Sequence, residues 1–334
     1  MLFNIWVTSA CNFRCRYCYV ADYEKNMSEK TGEEVIRFIE KNAPISDEEI
    51  IVNFHGGEPL LNFNLIRKMI EKLEFRLKKT ILFGITTNGS LLTKEISKFL
   101  AEKFKYNLSV SLDGNEKINN INRVYANNIG TYDSVIKNIL YLKKIAPDVR
   151  LRMTYNHETV RYLFDSIEHV YNLGFKKIVA IPDFSDGLWR DGHILILRQQ
   201  LESIFKTYIN DTNVDINIIS DDIRRKHQEC HGGKSSVNIY IDGNIFPCTW
   251  TSGKKDFIIG NIYNGTDSEK LNRILEHSYE PINTCKECDL YDACIGTRCR
   301  IINKIITDDY CKVPVMRCMY NNVIYELQKQ YRIV

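Results

Sequence analysis

The sequence lacks the features that would place a chain in a membrane or outside the cell. Its longest apolar runs, such as 50–54 and 178–181, are far too short to span a bilayer. Its first residues carry neither a basic segment nor a small-residue cleavage site after an apolar run, which argues against a signal peptide. The 45 basic and 42 acidic residues are well mixed, so no block of either sign indicates nucleic-acid binding or disorder. We therefore expect a cytoplasmic protein with neither nucleic acid nor a membrane as a partner.

Cysteine is absent from residues 19–229, although the chain has 11 of them. Three lie within the first 18 residues, and the other eight lie between residues 230 and 318. Because the cytoplasm keeps thiols reduced, clustered cysteines there favour metal binding over disulfides. The uneven distribution indicates a scaffold in the middle of the chain and metal chemistry at its two ends.

Short apolar strands alternate with amphipathic helices over the first 181 residues. This alternation predicts an α/β fold with a parallel sheet covered by helices. Six strands are too few for a closed eight-unit barrel, so we expect an open, partial (β/α)6 TIM barrel. The predicted strands are 2–8, 50–54, 81–87, 106–112, 149–155 and 176–181. The predicted helices are 28–42, 64–78, 94–104, 133–145 and 160–173, the last closed by Gly174.

The pattern changes after Pro182, and from residue 227 the chain is rich in Gly, Asn and Cys. We expect a core over 1–183, a bridging helix and strand over 184–225, and a Cys-rich unit over 226–334. The predicted later elements are a loop over 183–192, a helix over 194–208, a strand over 214–219, a hairpin over 237–246 that turns at Asp242-Gly243, a short helix over 267–276 and a final helix over 315–330.

The N-terminal triplet, defined here as Cys11, Cys15 and Cys18, directly follows the first predicted strand. Its C-x3-C-x2-C spacing suits an iron–sulfur cluster, because such clusters are held by thiolates. Three thiolates on four irons leave one iron without a protein ligand, and an open metal position can bind a small molecule. The alternative is a structural zinc loop, for which no fourth ligand lies nearby in the sequence. Barrel folds keep their active sites at the strand end where this loop lies.

Polar motifs also follow the next three predicted strands. They are HGGEP at 55–59, TTNG at 86–89 and SVSLDG at 109–114. Glycines in such loops let the backbone approach a ligand closely. Each motif alone could be an ordinary turn or cap, but their coincidence at successive strand ends indicates one shared ligand site.

Together these features resemble the radical S-adenosylmethionine (SAM) superfamily over about residues 2–181. The resemblance implies a [4Fe–4S] cluster on the N-terminal triplet, with the amino and carboxylate groups of SAM on the open iron. One electron would then cleave SAM to a 5′-deoxyadenosyl radical that abstracts hydrogen. It implies that Tyr17 lies next to the adenine and that Glu58 holds the methionine amine. The SAM contacts implied in full are Tyr17, Gly56, Gly57, Glu58, Asn88, Ser109, Ser111, Asp113, Arg123 and Arg152.

The eight C-terminal cysteines resemble the SPASM extension, which carries two auxiliary [4Fe–4S] clusters. They depart from its spacing once, with four residues instead of three between Cys294 and Cys299. The resemblance assigns a distal group, Cys285, Cys288, Cys294 and Cys318, and a proximal group, Cys230, Cys248 and Cys299. Either Cys311 completes the proximal group, or that cluster keeps an open iron that could bind a substrate thiolate. A zinc ribbon on the C-x2-C pair of the distal group is the alternative.

The resemblance implies an enzyme that oxidatively modifies a ribosomally made peptide, by forming a thioether, a carbon–carbon crosslink or a related product. A second interpretation is an anaerobic sulfatase-maturing enzyme, which makes formylglycine. That family has a basic Asp after the hairpin cysteine, whereas this sequence has Thr249, a poor base near neutral pH, with Asp242 and Asp256 nearby. A third interpretation, a non-catalytic iron–sulfur electron-transfer protein, leaves the strand-end motifs unexplained.

The partners implied are a precursor peptide and a flavodoxin or ferredoxin that donates electrons. Fused leader-peptide binders usually precede the barrel in such enzymes. Because the first predicted strand begins at residue 2, we expect any leader-binding unit to be a separate protein.

Overall fold

The computed structural model describes residues 1–20, 25–44, 49–226 and 230–331. Its strands are β1 Leu2–Thr8, β2 Glu49–Gly56, β3 Thr80–Thr87, β4 Asn107–Ser111, β5 Arg150–Tyr155, β6 Lys177–Pro182, β7 Asp215–Ile216, β8 Ser236–Ile239, β9 Asn244–Phe246, β10 Gly260–Asn261 and β11 Gly265–Thr266. Its α-helices are α1 Glu29–Asn42, α2 Phe63–Arg76, α3 Lys94–Lys103, α4 Glu116–Asn122, α5 Tyr132–Ile145, α6 Leu163–Asn172, α7 Asp191–Tyr208, α8 Asn217–Ser220, α9 Ser268–Glu276, α10 Ile295–Arg298, α11 Arg300–Thr307 and α12 Val315–Gln330. None of the described helices is long and apolar enough to cross a membrane.

The strands form one sheet in the order β11-β10-β9-β8-β1-β2-β3-β4-β5-β6-β7. Neighbouring strands from β1 to β7 pair in parallel. The six predicted strand–helix units are therefore confirmed as the parallel core of an α/β fold. All carboxyl ends of these strands lie along one edge, which brings the loops after them together.

One face of the sheet packs against helices and the other lines the inside of the partial barrel. On β1, Phe3, Ile5 and Val7 are fully buried and belong to the main apolar core. The alternate residue Asn4 accepts a hydrogen bond from Asn53 Nδ2 on β2 at 3.2 Å. Apolar side chains thus face the helices while polar ones face the barrel interior, as expected for parallel strands buried on both faces.

The predicted strand over 214–219 is wrong beyond its first residues. Only Asp215–Ile216 pair with β6, and the chain then turns into the short helix α8. Asn217 Oδ1 accepts the N–H of Ala180 at 2.8 Å, and Asn217 Nδ2 donates to the carbonyl of Ala180 at 3.3 Å. One side chain therefore occupies the strand-edge groups of β6 that a longer β7 would need.

The Cys-rich region extends the same sheet rather than standing apart from it. Its hairpin β8–β9 is present as predicted, and β8 pairs in parallel with β1, with Leu2 opposite Ser236. Helix α12 has the predicted bounds, and Gln328 on it donates to the carbonyl of Asp221 at 2.7 Å. The division at residues 183 and 225 therefore separates units that share one sheet. Residues 227–229, where the composition changes, lie outside the described residues.

Some helices were not predicted from the sequence. They are α4, after the fourth strand, and α10 and α11 within the Cys-rich run. The N-cap of α4 is Asn115, whose side chain accepts from Ile118 N at 3.1 Å. The C′ role of Gly174 is confirmed, because its φ is +83° and its N–H donates to the carbonyl of Tyr171 at 2.7 Å.

Candidate metal centres and cofactor site

The loop that carries the N-terminal triplet is fixed to the segment after α4. The backbone N–H of Arg14 donates to the carbonyl of Val124 at 2.7 Å, and that of Arg16 donates to the carbonyl of Asn122 at 2.9 Å. Phe13, between the first two cysteines of the triplet, is buried. With its backbone anchored and Phe13 in the core, the loop leaves the three cysteines partly exposed at the barrel mouth.

The three thiols of the triplet lie close enough to disfavour each other's ionisation. The pKa of Cys11 is raised to about 12, mainly by burial and with contributions from the nearby Glu58, Cys15 and Cys18, while the N–H of Phe13 opposes the shift. Burial likewise raises the pKa of Cys15 to about 11, with a contribution from Cys18. Thiolates held together in this way need a cation to stabilise them, and metal binding releases the thiol protons.

The donor sets consist of thiols, which are the ligands that hold iron–sulfur clusters. All 11 cysteines lie in the described part of the chain, and none of them forms a disulfide. Among the described residues, no three His, Cys, Asp or Glu side chains converge to hold a single metal ion. The fit to iron–sulfur clusters therefore rests on the chemistry of the donors.

The glycines after β2 lie directly against the start of the triplet loop. A Cβ on Gly56 would lie 2.7 Å from the Thr8 carbonyl oxygen, and one on Gly57 would lie 2.5 Å from that of Ala10. Any larger residue would push the two loops apart. Glycine is required here for close approach, and it places the next residue, Glu58, beside the triplet.

Glu58 is a buried carboxylate, only 1% exposed, that joins the ends of β2 and β3. Its Oε1 accepts from Thr87 Oγ1 at 2.7 Å and from Leu60 N at 3.1 Å, and its Oε2 accepts from Asn88 N at 2.7 Å. Burial raises its pKa to about 7, although these hydrogen bonds oppose the shift. With a single protein donor on Oε2, the carboxylate keeps acceptor capacity for a further ligand donor.

Asn88 connects the loop after β3 to the triplet. Its Nδ2 lies 4.0 Å from Cys11 Sγ and donates to Asn12 Oδ1 at 3.0 Å, while its Oδ1 accepts from Ser90 Oγ at 2.6 Å. Asn12 Nδ2 in turn donates to Ser90 Oγ at 2.8 Å. Sequence reasoning missed Asn12, which directly follows Cys11, and Ser90, which lies two residues after Asn88.

Tyr17, Asp113 and Arg123 form a buried network behind the triplet. Tyr17 OH donates to Asp113 Oδ2 at 2.6 Å, and Arg123 pairs with Asp113 Oδ1 at 3.0 Å. Asp113 Oδ1 also accepts from Thr154 N at 3.0 Å. Although burial opposes the charge of Arg123, Asp113 and Tyr17 raise its pKa above the usual value. Both oxygens of Asp113 are thus engaged by the protein itself.

The remaining predicted SAM contacts lie on β4 and β5, facing the barrel interior. Ser109 is fully buried and donates to Asn107 Oδ1 at 2.7 Å. Ser111 is partly exposed and lies opposite Arg152 in the strand register. Burial and the neighbouring Arg150 lower the pKa of Arg152. Within the described residues Arg152 has no carboxylate among its main electrostatic neighbours.

An aromatic contact joins the triplet loop to the C-terminal hairpin. Tyr19, directly after Cys18, is 47% exposed and stacks on Trp250, with ring centroids 5.0 Å apart. Trp250 lies two residues after Cys248. This contact between the two cysteine-bearing regions was not predicted, although each ring lies within two residues of a predicted ligand.

The four cysteines of the predicted distal group lie near each other. Burial raises the pKa of Cys318, and Cys294, Cys285 and Cys288 raise it further, in that order. Asn321 Nδ2 donates to Cys294 Sγ at 3.2 Å, and Asn322 Nδ2 donates to Cys318 Sγ at 3.5 Å. Amide donors to sulfur tune the reduction potential of iron–sulfur clusters. Sequence reasoning missed both amides, which follow Cys318 by three and four residues on α12.

The three cysteines of the predicted proximal group also lie together. Burial raises the pKa of Cys248 to about 11, with Cys299 adding to the shift. The pKa of Cys299 is likewise raised by burial and by Cys230. A Cβ on Gly232 would lie 2.6 Å from the carbonyl oxygen of Pro247. Glycine therefore allows the chain after Cys230 to run against the segment that carries Cys248.

The structure does not bring Cys311 to either group. Its Sγ donates to Glu280 Oε2 at 3.3 Å. Burial raises its pKa, and its main electrostatic neighbours are Glu280, Arg300 and Asp309. Its assignment as a ligand therefore stays a prediction, and it requires the thiol to leave Glu280.

Comparison with known proteins agrees with this geometry. Residues 5–170 match the radical SAM superfamily, and residues 230–289 match SPASM, an iron–sulfur cluster-binding domain. The chain is 25% identical over 321 residues to the radical SAM cyclopropyl synthase TigE of Paramaledivibacter caminithermalis. That match covers 87% of this chain and 66% of the synthase, so the chain spans slightly less than two thirds of that relative.

Two further similarities cover most of the length of both compared chains. The chain is 23% identical over 326 residues to a cysteine-type anaerobic sulfatase-maturating enzyme of Clostridium perfringens strain 13, covering 88% of this chain and 87% of the relative. The solved structure of native anSMEcpe with bound AdoMet and Cp18Cys peptide superposes with a TM-score of 0.81 at 20% identity. That match covers 99% of this chain and 97% of that one.

The fold and the matched domains define an iron–sulfur enzyme of the α/β class. The chain belongs to the radical SAM superfamily and carries a SPASM domain, so SAM and [4Fe–4S] clusters are its cofactors. Enzymatic relatives over most of the chain exclude the interpretation as a non-catalytic electron-transfer protein.

Proposed function

We propose that this enzyme oxidatively modifies a ribosomally made peptide. When bound, SAM and its cluster supply a 5′-deoxyadenosyl radical that abstracts a hydrogen atom from the substrate. The stacked contact of Tyr19 with Trp250 carries the proposal, because Tyr19 directly follows Cys18 of the triplet and Trp250 lies two residues after Cys248 of the proposed proximal group. Cys230, Cys248 and Cys299 would hold an auxiliary cluster there, and that cluster would supply an acceptor for the second electron of a two-electron oxidation, while the proton would go to solvent.

The site residues divide into those that hold SAM and those that support the site. We assign the SAM amine to Glu58, which lies beside the triplet and keeps acceptor capacity on Oε2. We assign the SAM carboxylate to Arg152, since Asp113 already neutralises Arg123. Tyr17 and Asp113 then hold the triplet loop in place through their mutual hydrogen bond.

Sulfatase maturation is the second candidate, favoured by the similarity to a sulfatase-maturating enzyme over most of both chains. This candidate is disfavoured by Thr249, which occupies the position of the basic Asp of the sulfatase-maturing family. Thr249 Oγ1 donates to Asn238 Oδ1 at 3.1 Å, so its hydroxyl proton is engaged. Of the nearby acids, Asp242 accepts from Asn244 N at 3.0 Å within the hairpin turn, and Asp256 is exposed.

A direct comparison of substrates tests the two candidates. The enzyme, reconstituted anaerobically and reduced, would receive SAM with either a precursor peptide encoded beside its gene or a sulfatase peptide containing Cys or Ser. We expect mass spectrometry to detect modification of the precursor peptide. With the sulfatase peptide we expect SAM cleavage without modification of the peptide. An aldehyde on the sulfatase peptide, trapped with a hydrazide, would instead establish formylglycine formation. Thr249→Val should keep the activity on the precursor peptide, because this hydroxyl is not the base.

The proposal also includes the electron donor, the protein that binds the leader segment and the cellular compartment. We propose that flavodoxin or ferredoxin delivers the electron, that a separate protein binds the leader segment of the peptide, and that the enzyme works in the cytoplasm. Co-purification of the enzyme with a leader peptide alone would argue against a separate leader-binding protein.

A further inference from the structure

Arg317 is a buried cation near the auxiliary cysteines. It lies on α12 next to Cys318 and is 6% exposed. Its guanidinium carbon lies 4.2 Å from the ring centroid of Phe184, in the loop after β6. Its buried Nε has no hydrogen-bond partner among the described residues. The buried part of this cation therefore lacks the hydrogen bond that usually accompanies a buried polar group.

A buried guanidinium needs a negative charge nearby, because removing a cation from water without a counterion is strongly unfavourable. No carboxylate of the described residues is among the main electrostatic neighbours of Arg317. Those neighbours are instead Cys299, Cys294 and Tyr320. Cys299 belongs to the proximal group and Cys294 to the distal group. Protonated thiols carry no charge, whereas thiolates bound to an iron–sulfur cluster supply negative charge.

We infer that Arg317 is a positioning residue that serves as the shared counterion of the two auxiliary clusters and raises both of their reduction potentials. The inference rests on the proposed cluster ligands. Reduction adds one electron to an already anionic cluster, and a nearby cation stabilises the added charge. Burial strengthens this effect, because solvent screens the interaction less than at the surface. One cation near both groups should therefore shift both potentials in the same direction.

The test uses the chain with the N-terminal triplet replaced by Ala, so that only the auxiliary clusters contribute iron and spectra. The variants are Arg317→Gln, Arg317→Lys and, as a surface control, Arg198→Gln, whose native side chain pairs with Glu326. We expect Arg317→Gln to change the oxidised-to-reduced ratio of both clusters at least tenfold at a fixed potential. For a one-electron couple this is a lowering of about 59 mV. Arg317→Lys should stay closer to the parent chain, and Arg198→Gln should match it.

Iron content separates failure of this inference from failure of the cluster assignment. If the parent chain does not retain two clusters, the proposed ligands are wrong. If it retains them and Arg317→Gln leaves both potentials unchanged, the counterion role is refuted. If Arg317→Gln loses iron while Arg317→Lys keeps it, the charge is required for cluster binding, which supports the inference. Equal loss in both variants would mean that Arg317 acts only through packing and would overturn it.

Discussion

Replacing Glu58 with Gln tests the SAM site most directly, because the change removes a charge without changing the size of the side chain. If the carboxylate binds the SAM ammonium, the lost charge-assisted hydrogen bond is worth about 1.5–3 kcal/mol. The dissociation constant for SAM should therefore rise by about tenfold or more. The pKa of Glu58 is raised to about 7, so binding is best measured at pH 8, where the carboxylate is ionised.

The same substitution also has a structural cost that must be separated from binding. In the native chain the N–H of Asn88 donates to Glu58 Oε2 at 2.7 Å. A Gln amide that keeps its oxygen towards Thr87 and Leu60 would place its NH2 group against that N–H. One buried donor is then unsatisfied, which costs about 1–3 kcal/mol of the unfolding free energy. Iron content should not change, since Glu58 is not a predicted ligand.

Thr87→Val is the matched control for that structural cost. It removes one hydrogen bond to Glu58 and leaves the carboxylate in place. It also removes the acceptor for Gly89 N, so we expect a loss of about 1–3 kcal/mol in the unfolding free energy. SAM affinity, measured by equilibrium dialysis or calorimetry, should change by no more than about twofold. Equal weakening by both variants would show that Glu58 acts only by holding the loops, and unchanged affinity in Glu58→Gln would exclude contact with SAM.

Three other predictions follow from the cysteine groups and from the loop after β6. Replacing the N-terminal triplet with Ala should lower the iron content from about twelve to about eight per chain and abolish SAM cleavage, and stoichiometric zinc would contradict the cluster assignment. Cys311→Ala should keep all its iron and its auxiliary spectra, because the thiol is hydrogen-bonded to Glu280; loss of iron would show that it is a ligand. Asp186→Asn should lower the unfolding free energy at pH 7 by about 1–3 kcal/mol. Although burial opposes the shift, hydrogen bonds from His157 and Leu188 lower the pKa of Asp186. Its stabilisation is therefore full above its unfolded pKa of about 3.9, and the difference from the native chain should shrink as pH falls below that value. If acid denaturation curves showed the same difference in unfolding free energy at low pH, the ionised carboxylate would not be the source of that difference.

Much of the barrel could be predicted from the sequence because its signals are local. Strand β1 and helix α12 have the predicted bounds, and the hairpin turns at Asp242-Gly243 as expected. Consecutive residues carry the apolar period of each strand or helix, and glycines or polar residues mark its ends. The triplet and the motif at 55–59 could be recognised for the same reason, since each is a short stretch of sequence that directly follows a strand.

Errors arose where a distant contact overrides a local preference. The apolar run over 214–219 is typical of a strand, but Asn217 binds the backbone of Ala180 and ends β7 early. The assignment of Cys311 as a ligand stays a prediction, but its hydrogen bond to Glu280 is another distant contact of this kind. Neither partner can be identified from the spacing of residues along the chain.

The class of chemistry can be predicted from local sequence alone, because thiolates at fixed spacing specify what a loop can bind wherever the loop lies. Which side chains surround those thiols depends on the tertiary structure. The pairing of β8 with β1 brings residues more than 230 positions apart into one sheet, and with them Trp250 reaches Tyr19. The burial of Arg317 near Cys294 and Cys299 likewise depends on how α12 packs. Such neighbours result from long-range packing, which leaves no periodic trace in the sequence.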